Sequence, residues 1–212
     1  VLELPVPAFE FAGFGTALGA FKIEAGKSAT QIIGLETGRV LANGDTVGAI
    51  GDATPDFQMS FSTDLNWKQW SFGMLWDWKK GGDVINLTEL LFDLFGNSAD
   101  WNTPGGGRDR FLAFVDPISA NTVQYVQDAS YLKMREVSLA YQLSPSATRQ
   151  LFGSLVKGAR LSVSGRNLIR ITDFRGIDPE VSNFGNQAIG RNFDVAPFPS
   201  SRSFFISIDL DF

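Results

Sequence analysis

The chain has 212 residues, a formal charge of −5 at neutral pH and a pI near 4.8, with 44% hydrophobic and 19% charged residues. That balance excludes a nucleic-acid surface, which needs clustered Lys and Arg to neutralise phosphates. There is no Cys and no His, so disulfides, thiolate or imidazole metal sites and every Ser-His or Cys-His catalytic arrangement are excluded, and no cofactor is expected.

The 19 Phe, 5 Trp and 22 Gly favour strands and turns over helices. No apolar run reaches the roughly 20 residues that a membrane-spanning helix needs. In chain order, two short strands are predicted first, near Leu18 to Glu24 and Ala29 to Leu35. Then Phe57, Met59, Phe61, Thr63 and Leu65 alternate with Gln58, Ser60, Ser62, Asp64 and Asn66. A period of two gives a strand one oily and one wet face. After a three-residue turn at Trp67, Lys68 and Gln69 the pattern returns, with Trp70, Phe72, Met74, Trp76 and Trp78 against Ser71, Gly73, Leu75, Asp77 and Lys79. The two segments read as a hairpin.

A long connection from Lys80 to Ser130 follows. Within NLTELLFDLF, Asn86 to Phe95, Leu87, Leu90, Leu91, Leu94 and Phe95 recur at helical spacing, so a short amphipathic helix is expected there. PGGGRDR, Pro104 to Arg110, breaks that helix and lacks the Gly-Lys-Ser/Thr ending of a phosphate loop, so a flexible loop tip is expected. Tyr131 to Tyr141 is the next strand. Its Lys133 and Arg135 share a parity with Val137, Leu139 and Tyr141. Two arrangements stay open: both charges at a membrane rim, or a bulge that switches faces. A medium link from Leu143 to Ala159 leads to a strand from Arg160 to Leu168, and a second long connection covers 169–201. The last strand sets Phe204, Ile206, Ile208, Leu210 and Phe212 against Ser203, Phe205, Ser207, Asp209 and Asp211.

Short and long connections thus alternate, as in transmembrane barrels with short periplasmic turns and longer extracellular loops. Spanning strands need about 9 to 11 residues, against about 5 to 6 in soluble domains. Segments 57–66, 70–78 and 203–212 meet the longer standard with no charge on the oily face. Trp67, Trp70, Trp76 and Trp78 lie near strand ends, where an aromatic girdle would sit. The predicted fold class is all-β, an antiparallel transmembrane β-barrel of which this chain supplies a part. The alternative is a soluble or surface-attached β-rich carbohydrate-binding module, with the same stripes buried in a sandwich core.

Four motifs occur in order: IGDATPDF at Ile50 to Phe57, ASYLKMREVSLAYQL at Ala129 to Leu143, SGRNLIRITDFRGIDPE at Ser164 to Glu180, and APFPSSRSFFISIDLDF at Ala196 to Phe212. Through them the sequence from Gly34 onward resembles the C-terminal part of SusC/RagA-type TonB-dependent outer-membrane transporters. The resemblance implies a barrel of about 22 strands with a plugged lumen. It also implies a place in the bacterial outer membrane and import of oligosaccharide or peptide. A SusD-like surface lipoprotein would be the lid, and the TonB complex would act through segments upstream of Val1. Outer-membrane lipid, lipopolysaccharide and the barrel-assembly machinery would be further partners. The family often carries a calcium-loop-like stretch before the first motif. Here ETGRVLANGDTVGA, Glu36 to Ala49, has Asp45 without the acidic spacing of a metal loop, and no metal is expected.

Several side chains are candidate sites. Phe204, Ile206, Ile208, Leu210 and Phe212 are a lipid-facing stripe and, by the resemblance, the signal that the assembly machinery reads. Gln58, Ser60, Asp64, Asp77, Arg160, Arg166 and Asn167 are expected on the lumen side, offering hydrogen bonds to a solute or the plug. In the extracellular loops, Trp101, Phe111 and Phe114 would stack on a sugar, meet a lid protein or pack the loop onto itself. Arg175, Asp178 and Glu180 fall in FRGIDPE. Nothing there marks the opposed carboxylates of a glycosidase, and Pro179 after Asp178 is turn chemistry. No catalysis is expected.

Overall fold

The computed structural model describes residues 8–13, 15–36, 47–116, 121–185, 187 and 190–212, with 8–13 described by backbone. The stretch 37–46, with Asp45, lies outside the described residues. The elements in chain order begin with strands β1 (Ala8–Gly13), β2 (Ala20–Glu24), β3 (Gln31–Leu35), β4 (Val47–Asp52), β5 (Pro55–Trp67), β6 (Trp70–Gly81) and β7 (Asp83–Asn86). Helices α1 (Leu87–Leu94) and α2 (Gly107–Val115) come next, then β8 (Val126–Asp128) and β9 (Tyr131–Gln142). Helix α3 (Pro145–Phe152) precedes β10 (Gly158–Ile171), β11 (Phe193–Asp194) and β12 (Ser203–Asp211). The chain divides into two compact units, the first of 1–57, 80–130 and 173–199, the second of 58–79, 131–172 and 200–212.

The second unit is one sheet in the order β12-β10-β9-β6-β5. Its hairpin turn is two residues rather than three, because Trp67 still belongs to β5 and Lys68 takes a left-handed φ of 54°. Register explains the patterning. Phe72 pairs with Leu139, Leu139 with Val163 and Val163 with Ile206, while the adjacent row runs Ser71, Ala140, Ser162, Ser207. Rows alternate between faces, so the oily stripes of all five strands merge into one apolar face. That face is open along its outer strands, from 37% exposed at Phe57 to 77% at Ile206, and half-buried at Phe72, Met74, Trp76 and Val137 between them. A sandwich core would bury these side chains. The molecule is mostly antiparallel β, and its sheets are open among the described residues.

The open question at Lys133 and Arg135 resolves as a bulge. Leu75 pairs with Glu136 but Trp76 pairs with Met134, so Arg135 is an extra residue in β9. Alternation restarts there, and Tyr131, Lys133 and Arg135 join the polar face. In β10, Arg166 pairs with Glu136 and Ile169 with Met134, which places Asn167 and Leu168 opposite the same bulge. Asn167 adopts φ of 55°, a conformation Asn tolerates better than most residues. The strand then continues through Ile171, past the predicted end at Leu168.

The first unit holds an antiparallel sheet β1-β2-β3-β4 and a smaller sheet β11-β7-β8. Phe21, Ile32, Ile85, Leu87, Leu90, Tyr125 and Phe193 form its core. Gly51 of the IGDATPDF motif is needed for close approach, since a Cβ there would lie 2.8 Å from both Asp83 Oδ2 and Val126. Helix α1 forms where expected, capped by Asn86 Oδ1, which accepts from the Glu89 N–H at 2.9 Å. Its buried face differs from the predicted stripe. Leu87 and Leu90 are buried together with Glu89 and Asp93, whereas Leu91, Leu94 and Phe95 are exposed. PGGGRDR is not a flexible tip either, because helix α2 starts inside it at Gly107. Its glycines serve packing: a Cβ would stand 2.0 Å from the Asp100 carbonyl at Gly106 and 2.4 Å from Asp93 Oδ1 at Gly107. Helix α3, unforeseen in the 143–159 link, starts on a Ser144 cap followed by Pro145.

Candidate functional site

Within the first unit, α1, the loop after it and the FRGIDPE segment enclose a cavity of about 450 Å³. Its floor is charged. Arg110, from the first turns of α2, donates from Nε to Asp93 Oδ2 and from Nη2 to Asp93 Oδ1, both at 3.0 Å. It also grips Asp100 through Nη1 at 2.6 Å and Nη2 at 3.1 Å, and stands 3.2 Å from Glu89. Glu89 in turn binds Arg175, which donates from Nε at 2.6 Å and from Nη2 at 3.0 Å. Arg175 Nη2 also donates to the Gln124 carbonyl at 2.9 Å, and its backbone N–H donates to Gln127 Oε1 at 3.1 Å. Gln127 completes the set by donating to Glu89. The Tyr125 hydroxyl donates to Asp93 at 3.0 Å.

Helical geometry produces this arrangement. Glu89 and Asp93 are four residues apart, so both point from one side of α1. Buried charges survive only when paired and hydrogen-bonded, and two guanidinium groups against three carboxylates meet that condition. The Arg110 hydrogen bonds hold the Asp100 carboxyl below the usual carboxylate range. Burial, and then the neighbouring Asp93, push the Tyr125 hydroxyl up, so it stays a donor. Phe92, Ala99 and Ile177 supply apolar wall, while Asn97, Ser98 and the half-exposed Arg175 offer polar groups. The cavity is thus suited to a ligand with both apolar and hydrogen-bonding parts.

In the second unit a polar cluster forms around Asp77 on the wet face. Arg135 donates to Asp77 Oδ2 from Nη2 at 2.5 Å and from Nε at 3.2 Å. Tyr131 donates to the same oxygen at 3.1 Å, Gln58 at 3.3 Å, and Ser60 to Oδ1 at 3.3 Å. Lys133 lies over the Tyr131 ring at 4.6 Å.

Of the residues expected on the lumen side, Gln58, Ser60 and Asp77 therefore meet. Asp64 faces Gly73 across the hairpin. Arg166 pairs with Glu136 at 3.0 Å, Arg160 stands opposite Gln142 and Asp209, and Asn167 donates to the Ser201 carbonyl at 3.1 Å. These do not join the Asp77 cluster. Phe204, Ile206, Ile208, Leu210 and Phe212 lie on or follow β12, all but Leu210 among the most exposed apolar side chains. Among the loop candidates, Phe111 and Phe114 pack against the core, Phe114 edge-on to Tyr125 at 5.5 Å. Trp101 stacks beside Gly96. Arg175 lines the cavity, Asp178 is buried and accepts from the Glu180 N–H at 3.1 Å, and Glu180 itself is exposed. Sequence reasoning missed Glu89, Asp93, Asp100, Arg110, Tyr125 and Gln127. The signal was present in part: two carboxylates four residues apart in an otherwise oily helix.

No family model matches the sequence. Curated relatives do. TonB-dependent receptor P3 of Formosa agariphila is 32% identical over 77% of this chain and 17% of its own length. TonB-dependent receptor P26 of the same organism is 29% identical over 84% of this chain and 19% of its own. The chain therefore spans less than a fifth of these relatives. In fold it matches the RagAB peptide importer in the closed-closed state, with a TM-score of 0.61 at 18% identity over 99% of this chain and 25% of that one. The open-open state gives 0.62 at 18% identity over 100% and 25%. Over most of its length the chain belongs to the TonB-dependent receptors.

Proposed function

We propose that this chain forms part of the wall and outer loops of a TonB-dependent nutrient importer in a bacterial outer membrane. The observation that carries the reading is the apolar face running unbroken across five strands and open along its outer ones, opposite a hydrogen-bonded polar face. Hydrocarbon is the partner that suits such a face, and a barrel is how strands enter it without unpaired edges. Segments 82–130 and 172–202, which follow β6 and β10, serve as extracellular loops, and their cavity beside Arg175 contacts cargo or a SusD-like lipoprotein lid. The stripe ending at Phe212 guides assembly by the barrel-assembly machinery, and the wall meets lipid and lipopolysaccharide. A plug and a TonB-contacting segment belong to the rest of the polypeptide. The cargo is oligosaccharide or peptide, the latter suggested by the likeness to a peptide importer. Cells deleted for the gene should lose uptake of a labelled oligosaccharide or peptide and regain it with the complete gene. Undiminished uptake of every such cargo in the deletion strain would end the import reading.

A further inference from the structure

Helix α3 and the residues after it expose three large apolar side chains, although they belong to a connection and not to a strand: Leu151 at 67%, Phe152 at 39% and Leu155 at 82%. Water alone is a poor neighbour for such a cluster. On the helix, Leu151 and Phe152 follow the fully buried Thr148 by three and four residues and so flank it, with Ser146 and Gln150 on the far side. The helix is amphipathic, and its apolar side is wider than the strip that the protein itself covers. That side adjoins the oily face of the sheet. Helix α3 lies against β10, Leu143 donates its N–H to the Ala159 carbonyl at 2.9 Å, and Ala159 pairs with Leu210. Leu143, Ala159 and Leu210 form the last row of the apolar face and are shielded, whereas Leu161 and Ile208 in the row before them are exposed. The sheet order sets β12 on one side of this connection and β6 on the other, so its neighbours along the wall are strands of this same chain.

The charge beside the cluster has one sign. No acidic residue occurs between Glu136 and Asp173, while the exposed Arg149 and Lys157 bracket the apolar side chains. Lys157 donates from Nζ to the Phe212 backbone oxygen at 3.0 Å, which ties the connection to the end of β12. Asp209 and Asp211 belong to the polar row, opposite Arg160 and Gly158. The β5–β6 hairpin turns at the same end of the sheet, where Trp70 stacks on Tyr141 at 4.7 Å and Lys68 lies over the Trp67 ring at 4.9 Å. Aromatic rings mixed with cations are the composition of a membrane–water boundary. We infer that α3 is an interfacial anchor lying flat in the leaflet opposite the long loops. Leu151, Phe152 and Leu155 enter the acyl boundary there, and Arg149 and Lys157 meet the phosphates of anionic phospholipids. The inference rests on the lipid-facing reading of the sheet and adds to it a device that fixes the depth of the wall.

The complete polypeptide in nanodiscs of mixed phosphatidylcholine and phosphatidylglycerol tests this, with a fluorophore attached through Leu155→Cys in a background free of other reactive thiols. A lipid nitroxide high on the acyl chain should quench the label, and aqueous iodide should not. Labels attached through Leu161→Cys and Ser146→Cys are the wall and water controls. The nitroxide carried on phosphatidylglycerol should quench about fivefold more than on phosphatidylcholine at equal content, the attraction of roughly one cation at an anionic surface. Arg149→Gln combined with Lys157→Gln should remove most of that preference. Quenching at the Leu155 site by iodide would overturn the proposal, and so would quenching by neither agent, which would mean that another part of the polypeptide covers the helix. Equal quenching by the two lipids, or a preference unchanged in the double variant, would overturn it as well. Loss of lipid quenching at the Leu161 site too would end the lipid-facing reading of the sheet, and the anchor with it.

Discussion

In the first unit Phe21, Ile32 and Ile85 are completely buried, whereas in the five-stranded sheet Phe204, Ile206 and Ile208 are among the most exposed side chains and Asp77 and Lys133 are buried. Both regions use the same backbone alternation. What differs is where the shielded side chains lie: in the oily row in the first unit, and in the sheet at Asp77 and Lys133 of the polar row, whose members Gln58, Ser60 and Arg166 are exposed. The first unit folds as proteins in water do. The sheet inverts that order, and an inverted order is stable only where the outer surroundings are themselves oily. The difference teaches that burial identifies the solvent as much as it identifies a core.

The contrast can be broken most forcefully in the first unit. Arg110→Met should destabilise it by about 3–5 kcal/mol, because Asp93 would stay buried without its cation while Glu89 keeps only Arg175. Denaturant unfolding measures this, and a loss near zero would mean that water reaches the cluster. Ile206→Arg, on the oily face, should cost about 2–4 kcal/mol for folding into lipid vesicles. The same change in an aqueous surface would be nearly neutral, so a neutral result in vesicles would remove hydrocarbon from that face. Asp77→Asn should weaken the wet face by about 2 kcal/mol, since Arg135 loses its charged acceptor. Its effect is read as heat-modifiable mobility or unfolding midpoint in detergent, and an unchanged midpoint would show that the cluster is solvated. The smallest effect is expected at the exposed Arg166–Glu136 pair. Glu136→Gln should change stability by about 0.2–1 kcal/mol and the change should vanish in high salt. A larger or salt-insensitive loss would mean that this pair is desolvated after all.

The sheet was legible because its information is local. Phe57 to Asn66, Trp70 to Lys79 and the stretch around Ile206 carry period-two alternation that needs no distant partner to interpret. The bulge at Arg135 was legible only as an ambiguity, because parity shows that something must give but not where. In the first unit the decisive contacts join residues far apart in sequence. Arg175 reaches Glu89 across 86 positions and Thr88 reaches Asp194 across 106. A leucine-rich decamer conceals the fact that its buried face is half acidic, since hydrophobic spacing weighs Leu91 and Leu94 as core whichever way the helix turns. The glycines of PGGGRDR suggested freedom where the fold uses them for tight approach.

The odd residue in β9 also bears on which length changes this strand can absorb. Arg135 is supernumerary relative to β6, so an in-frame loss of that one position would leave Met134 and Glu136 adjacent and pointing as they already do. Tyr131 and Lys133 would keep their side of the sheet, while the grip on Asp77 would go and Asn167 and Leu168 of β10 would lose the residue they face. A single added residue between Val137 and Tyr141 has the opposite outcome. Unless a second irregularity absorbed it, half the strand would turn over and carry Ser138 or Glu136 to the greasy surface. Natural length variation should therefore collect at position 135 and be absent from the four residues that follow Glu136.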